Sequence, residues 1–142
     1  MNRETILGLI PHGGSMCLLD EVLEWDAESV RCLSHRFAAH DNPLRRADGT
    51  LGTACGIEIA AQAMALHGQL TASADGPPIP GYLVSLRDVN LATPTLDNTG
   101  PLTISATRLL GDAGSASYAF TITGEGADLL TGRATVLFGA GL

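Results

Sequence analysis

The chain has 142 residues, which suits one domain with a sizeable core, and we expect residues 1–142 to form a single domain. A hydrophobic fraction of 45% with only 16% charged residues excludes a disordered protein. The net charge of -7 argues against nucleic acid or an anionic membrane as the main partner, because both attract basic surfaces.

The cysteines and the N-terminal residues indicate the compartment. Cys17, Cys32 and Cys55 are odd in number and form no C-x-x-C pair, so neither a disulfide framework nor a zinc knuckle is predicted. The first residues lack the long apolar region and cleavage site of a signal peptide. No segment has the roughly 18 to 20 apolar residues of a membrane helix. We therefore expect a soluble, unprocessed protein in the reducing cytoplasm.

The first elements are a short helix and a strand pair. The run "ETILGLI" predicts a helix that ends at Pro11. The runs "MCLLDEVLEWD" and "SVRCLSHRFAAH" predict two strands joined by a turn at residues 26–28. An antiparallel pair follows from that spacing. One face of the second strand holds Val30, Cys32 and Ser34.

The stretch "LGTACGIEIAAQAMALHG", residues 51–68, predicts a long helix that is apolar on nearly every side. Glu58 and Gln62 lie one turn apart on the same narrow stripe of that helix. Glu58 is also the only formal charge between Asp48 and Asp75. We expect a sheet to cover the helix on most sides, because its many alanines permit a close approach.

Loops flank this helix, and strands follow it. The preceding loop "DNPLRRADGTLG" contains the turn dipeptide Asp48-Gly49, and "TASADGPPIPG" forms a second loop. Four strand-like runs then predict an antiparallel meander: "GYLVSLRDVNLAT", "GPLTISATRLLGD", "SASYAFTITG" and "DLLTGRATVLFG". This order of elements indicates an α+β fold in which a curved antiparallel sheet wraps around one long central helix.

Three segments carry a family resemblance. "LIPHGGSMCLLDEVLEW" resembles the opening of the bacterial 3-hydroxyacyl-acyl-carrier-protein dehydratases of the FabA/FabZ type. "GIEIAAQAMALHG" resembles that family's helix, with Glu58 and Gln62 in place, and "SLRDVNLATPTLDN" is similar to its strand and Pro-containing turn. The resemblance covers about residues 8 to 138 and is closer to a divergent subgroup associated with aryl-polyene-type fatty acid synthases. It implies the hot-dog fold.

The resemblance also implies a catalytic pair. The family uses a histidine in a G-H-F-P motif together with the helix glutamate, and "RFAAHDNPL" takes the place of that motif here. His40 is then the base that removes the C2 proton, and Glu58 is the acid that protonates the departing C3 hydroxyl. An apolar environment favours the neutral form of Glu58, which can donate a proton.

Further residues are candidates for binding the substrate. The backbone N–H groups around Cys55 and Gly56 are expected to lack intrahelical partners and to hold the thioester oxygen. Gln62 is placed to hydrogen-bond Glu58, to line an acyl tunnel or to contact another subunit. Candidate phosphate contacts are Arg45, Arg46 and Arg87.

The remaining histidines predict no metal site. They are scattered, and none forms an H-x-x-x-H or H-E-x-x-H pair. His12 belongs to the opening motif and looks structural, His35 lies on a sheet face, and His67 is expected to bond carbonyl groups at the helix end. The resemblance implies no cofactor.

The expected partners are an acyl-carrier-protein (ACP) or coenzyme A thioester substrate and the carrier protein itself. The family's catalytic residues come from two subunits, which implies a homodimer or a larger hot-dog oligomer, with a heteromer as another arrangement. Two other functions fit the same residues. One is a hot-dog acyl thioesterase in which Glu58 activates water, and the other is a non-catalytic subunit that pairs with an active dehydratase. The loop of residues 41–53 favours the non-catalytic subunit, because it replaces the family's P-V-M-P-G run and separates His40 from Glu58 by 18 positions.

Overall fold

A computed structural model describes residues 2–9, 17–35, 42, 44–71, 81–96, 100–111 and 114–138. Two strands precede one long helix, and four strands follow it, as the sequence predicts. The elements are α1 (Arg3–Leu7), β1 (Glu21–Trp25), β2 (Ser29–Ser34), a 3-10 turn (Thr53–Cys55), α2 (Gly56–Thr71), β3 (Gly81–Leu91), β4 (Leu102–Gly111), β5 (Ser115–Gly124) and β6 (Ala127–Phe138).

The six strands form one antiparallel sheet in the order β1-β2-β4-β5-β6-β3. The predicted meander is therefore correct for β4 to β6 and wrong for β3, which pairs with β6 at the far edge. Chain length explains the difference. Glu125 and Gly126 form a tight β5–β6 turn with φ of 53° and 79°, the left-handed geometry of a two-residue hairpin. Residues 92–101 between β3 and β4 are long enough to cross the sheet instead.

The helix α2 lies against one face of the sheet and packs against β2 to β6. A sheet that reaches one helix with so many strands has to curve around it, so the predicted architecture is confirmed. Gly56 permits the close approach, because a Cβ there would lie 2.8 Å from a Leu130 methyl carbon and 3.0 Å from one of Ile122. Val30, Cys32 and Ser34 share the buried face of β2, as their alternation predicts.

Several boundaries differ from the sequence expectation. The first strand is confined to β1, because residues 17–20 hydrogen-bond to other elements instead of continuing the ladder. The long helix starts and ends later than predicted, since residues 53–55 form the 3-10 turn. The predicted end of the second strand at residues 36–40, and the segment of residues 10–16, lie outside the described residues.

Two observations concern the chain as a whole. Cys17, Cys32 and Cys55 form no disulfide. Within the described ranges, no helix is both long and apolar enough to cross a membrane.

Candidate active site

The start of α2 is fixed by the strand-like segment that follows β3. The N–H of Leu96 donates to the carbonyl of Leu51 at 2.8 Å, and the N–H of Thr53 donates to the carbonyl of Pro94 at 3.1 Å. The 3-10 turn then leads directly into the helix. These bonds hold the first turn of α2, which carries Glu58, rigidly against the sheet.

Glu58 is half-buried in this first turn and is bonded to Gln62, which is fully buried one turn later. The Gln62 amide nitrogen Nε2 donates to Glu58 Oε1 at 3.3 Å. The other end of the same amide, Oε1, accepts the N–H of Leu18 at 2.8 Å. The helix and the segment before β1 thus share one buried amide, and the expected contact between Glu58 and Gln62 is present.

The segment of residues 17–20 has its own supports. The Arg3 guanidinium donates to the carbonyls of Cys17 and Leu19 at 2.6 and 3.0 Å. The hydroxyl of Ser34 on β2 donates to the Leu18 carbonyl at 2.5 Å. Buried backbone groups need such partners, so α1, β2 and α2 together define the position of the Leu18 peptide.

His40 lies outside the described residues, as does His12, but the chain just after His40 is anchored. Asn42 is buried, and its side-chain oxygen accepts the Leu44 N–H at 2.9 Å. The Leu44 carbonyl accepts the thiol hydrogen of Cys55 at 3.6 Å. The loop that carries His40 is therefore attached to the start of α2, one turn before Glu58.

The same loop forms a compact turn farther on. The N–H of Arg46 donates to the carbonyl of Thr50 at 2.8 Å, and Gly49 has a φ of 88°, as the predicted Asp48-Gly49 turn requires. Backbone and side-chain hydrogen bonds from Thr50 lower the pKa of Asp48. The Arg46 guanidinium lies over Gly52, where an added Cβ would come within 2.6 Å of it.

The expected free N–H groups near Cys55 and Gly56 are not found. The N–H of Cys55 donates to the carbonyl of Gly52 at 3.0 Å, and the N–H of Gly56 donates to that of Thr53. The cause is the 3-10 turn, whose hydrogen bonds occupy donors that a helix starting at these residues would leave unpaired. A role for Cys55 and Gly56 in lining a substrate tunnel stays a prediction.

His67 is part of a polar cluster that the sequence did not reveal. The residue was expected at the end of the helix, but α2 continues to Thr71, and the side chain of His67 is fully buried. Its Nδ1 lies 2.7 Å from the Tyr118 hydroxyl, and its Nε2 lies 2.9 Å from the Asp26 carbonyl. Burial lowers the pKa of His67 and raises the pKa of Tyr118 to about 12. The carbonyl can only accept, so the neutral ring carries its proton on Nε2 and accepts from Tyr118.

A protein-family comparison matches most of the chain. The family described as ApeP-like, ApeP dehydratase, matches residues 4–139. None of the curated protein sequences compared with the chain matches it.

Solved structures give the same fold. A structure described as the dehydratase heterocomplex ApeI:P from Xenorhabdus doucetiae is 26% identical, with a TM-score of 0.82 over 96% of this chain and 91% of that chain. A mutant thioesterase from Pseudomonas aeruginosa is 14% identical, with a TM-score of 0.64 over 88% and 84% of the two chains. A thioesterase from Haemophilus influenzae is 15% identical, with a TM-score of 0.61 over 83% and 76%. The two thioesterases show likeness of fold alone, and the hot-dog fold is confirmed.

Proposed function

The chain belongs to the ApeP-like dehydratase family, and we propose that it works in a hot-dog assembly that removes water from a 3-hydroxyacyl thioester. The product is the trans-2-enoyl thioester. The C2–H bond breaks as a base takes the proton, the C2–C3 double bond forms, and the C3 hydroxyl leaves as water after an acid protonates it. The same number of protons enters and leaves the site, so no net proton is consumed.

The position of Glu58 is the observation that supports this chemistry best. Its carboxyl group is half-buried at the start of the central helix, with the Gln62 amide on one oxygen. A carboxylic acid in such surroundings can hold a proton and release it to an oxygen that leaves the substrate. We assign Glu58 as the acid.

We assign His40 as the base, supplied to Glu58 by a neighbouring subunit. The family resemblance provides the assignment, and the anchoring of the following residues through Asn42 and Leu44 supports a fixed position for this loop. In an assembled structure, His40 of one subunit should lie within water-bridged distance of Glu58 of its neighbour. A separation far beyond that distance would disprove the pair.

A second hot-dog subunit is the partner that suits strand β3. This strand is at the edge of the sheet and pairs with β6 on one side only. Tyr82, Val84 and Leu91 are exposed on it by 48%, 51% and 44%. An apolar edge strand invites pairing with another chain, and the similar structure from Xenorhabdus doucetiae is a heterocomplex. We therefore propose that β3 joins this chain either to a copy of itself or to a second hot-dog dehydratase.

The β3 proposal has a direct test by substitution. Val84→Lys places a charge on the exposed edge and should convert the assembly to monomers, as measured by light scattering. Leu110→Lys is the matched control, because Leu110 is even more exposed, at 76%, but lies on β4 away from that edge. Equal dissociation by both variants, or by neither, would contradict a β3 interface.

The substrate carrier and the compartment follow from charge and cysteine chemistry. A chain with a net charge of -7 needs a local basic surface to receive a phosphopantetheine group, and the proposed contacts are Arg45, Arg46 and Arg87. The unpaired cysteines suit a reducing compartment, so we propose the cytoplasm.

A non-catalytic role in a heterocomplex is the second candidate. The heterocomplex with the same fold and the altered loop at residues 41–53 favour it. In that case the chain would complete the acyl tunnel of an active partner without supplying the acid.

One experiment separates these functions. Purified protein is incubated with 3-hydroxyacyl thioesters of ACP and of coenzyme A, alone and mixed with a second hot-dog dehydratase, and the products are identified by mass spectrometry. Enoyl product that depends on Glu58 supports the dehydratase. Enoyl product that appears only on mixing and survives Glu58→Gln supports the non-catalytic subunit. Free acid instead of enoyl product would identify a thioesterase and would overturn both proposals.

A further inference from the structure

We propose that Ser34 and Gln62 are positioning residues that determine which carboxyl oxygen of Glu58 carries the transferable proton. They act through the peptide of Leu18. The inference rests on the proposed acid role of Glu58 and extends it to residues of β2 and of the segment before β1. It follows from the directions in which three consecutive hydrogen bonds can run.

The three bonds form a continuous buried chain. The Ser34 hydroxyl donates to the Leu18 carbonyl at 2.5 Å, the Leu18 N–H donates to Gln62 Oε1 at 2.8 Å, and Gln62 Nε2 donates to Glu58 Oε1 at 3.3 Å. Ser34 and Leu18 are each 1% exposed, and Gln62 is completely buried. Water therefore does not reach these three residues to substitute for a lost partner.

The chemistry of the groups fixes the direction of every bond. A backbone N–H can only donate, so the atom of Gln62 that faces Leu18 must be its carbonyl oxygen. The amide cannot be reversed without placing two donors against each other. Its NH2 group is therefore directed at Glu58, and the facing oxygen Oε1 can only accept.

This direction has a consequence for proton transfer. When Glu58 is neutral, its proton resides on Oε2, because Oε1 receives a hydrogen from Gln62. After the proton has passed to the substrate, the same N–H donor stabilises the carboxylate that remains, since a hydrogen bond to the charged form favours that form. Gln62 thus assigns the acidic oxygen before the reaction and supports the anion afterwards.

Ser34 is the origin of this arrangement. It follows Val30 and Cys32 on the buried, otherwise apolar face of β2, where a hydroxyl is out of pattern for packing alone. Its hydrogen bond fixes the plane of the Leu18 peptide and, with it, the direction of the Leu18 N–H. An apolar residue at position 34 would leave the Leu18 carbonyl without this donor.

The test follows the protonation of Glu58 itself, so it does not depend on activity. Infrared spectroscopy of the folded protein records the carboxylic acid C=O band during a pH titration, and the Glu58→Gln variant identifies which band belongs to Glu58. Gln62→Leu should raise the midpoint by about one pH unit, because the donor to the carboxylate is lost. Ser34→Ala should raise it by less, and Ser34→Thr, which keeps the hydroxyl, should restore the wild-type midpoint.

Two further variants guard against misfolding as the cause. Gln62→Glu keeps an oxygen for the Leu18 N–H but replaces the amide donor with a second acid, so the midpoint should rise by repulsion. Cys32→Ala alters the same buried face of β2 outside the bonded chain and should leave the midpoint unchanged. A midpoint that is equal in the wild type, Gln62→Leu and Gln62→Glu would overturn the inference, whatever the activity.

Activity then distinguishes a positioning role from a purely structural one. In the assembly that forms enoyl product, Ser34→Ala should lower kcat about tenfold with little change in KM, because the acid is misdirected while substrate binding persists. Absence of enoyl product from the wild type would disprove the proposed function and leave the titration result standing. A rise in KM with unchanged kcat would contradict positioning.

Discussion

The two ends of α2 both hold polar side chains against the sheet, and they do so in different ways. Near the C-terminal end, His67 is fully buried, with both ring nitrogens bonded to Tyr118 and to the Asp26 carbonyl. Near the N-terminal end, Glu58 is half-buried and shares one oxygen with Gln62. A group enclosed on every side contributes to stability, whereas a group at the edge of the core can exchange a proton with a substrate.

Sequence position alone would have ranked these residues in the opposite order. A histidine is the side chain that most often performs proton transfer near neutral pH, and a carboxylate at a helix start is often explained by the helix dipole. The structure reverses this expectation, because the surroundings of each group, rather than its type, decide what it can do.

The largest effect on stability is expected at the C-terminal end. His67→Leu leaves the Tyr118 hydroxyl and the Asp26 carbonyl without their partner, and it should lower the free energy of unfolding by about 3 kcal/mol. Denaturant titration measures this change. His35→Leu, at an exposed position, should stay within about 0.5 kcal/mol of the wild type. Equal values for the two variants would remove the distinction between the two ends of α2.

A smaller loss is expected when only one bond of the cluster is removed. Tyr118→Phe deletes the hydroxyl that donates to His67 Nδ1 and should cost about 1 kcal/mol of unfolding free energy. Tyr82→Phe removes an exposed hydroxyl on β3 and serves as the control. A loss as large for Tyr82→Phe as for Tyr118→Phe would show that the buried hydroxyl has no special role.

The pH dependence should be smaller still, and its sign is fixed. Burial lowers the pKa of His67 below its usual value of 6.5, so the unfolded chain takes up the proton first as pH falls. The stability contributed by the neutral ring is present above pH 6.5 and is lost as pH falls through the folded-state value. The difference in unfolding free energy between the wild type and His67→Leu should therefore shrink on acidification. A difference that grows instead would mean that the charged ring is the favoured form.

The smallest effect on stability is expected at the N-terminal end. Glu58→Gln keeps the size of the side chain and should change the free energy of unfolding by less than about 0.5 kcal/mol, or raise it slightly, as is common for functional residues. Thermal or denaturant unfolding provides the measurement. A loss comparable to that of His67→Leu would indicate that Glu58 is part of the structural core.

Local patterns predicted most of the fold. The alternation of β2, the charge-free helix around Glu58 and the Asp48-Gly49 turn were all readable, because each depends on residues near one another in the chain. The position of β3 beside β6 was not readable. It depends on pairing between distant segments, and a connection of ten residues permits either neighbour.

The candidate site was predicted in part, for the same reason. Glu58 and Gln62 are one helical turn apart, so their contact follows from spacing. The bonds of Gln62 to Leu18 and of His67 to Tyr118 join residues 44 and 51 positions apart, and no periodicity indicates them. The 3-10 turn before α2 was also missed, which is why the N–H groups of Cys55 and Gly56 were expected to be unpaired.

The most direct test of the acid role of Glu58 is the rate of enoyl-thioester formation by the working assembly with Glu58→Gln. Glu24→Gln is the matched control, because Glu24 forms only an exposed ion pair with Arg31. We expect the Glu58 variant, correctly folded, to lose about 100-fold or more of kcat, while the control keeps the wild-type rate. A folded Glu58→Gln protein that forms enoyl product at the wild-type rate would contradict the assignment.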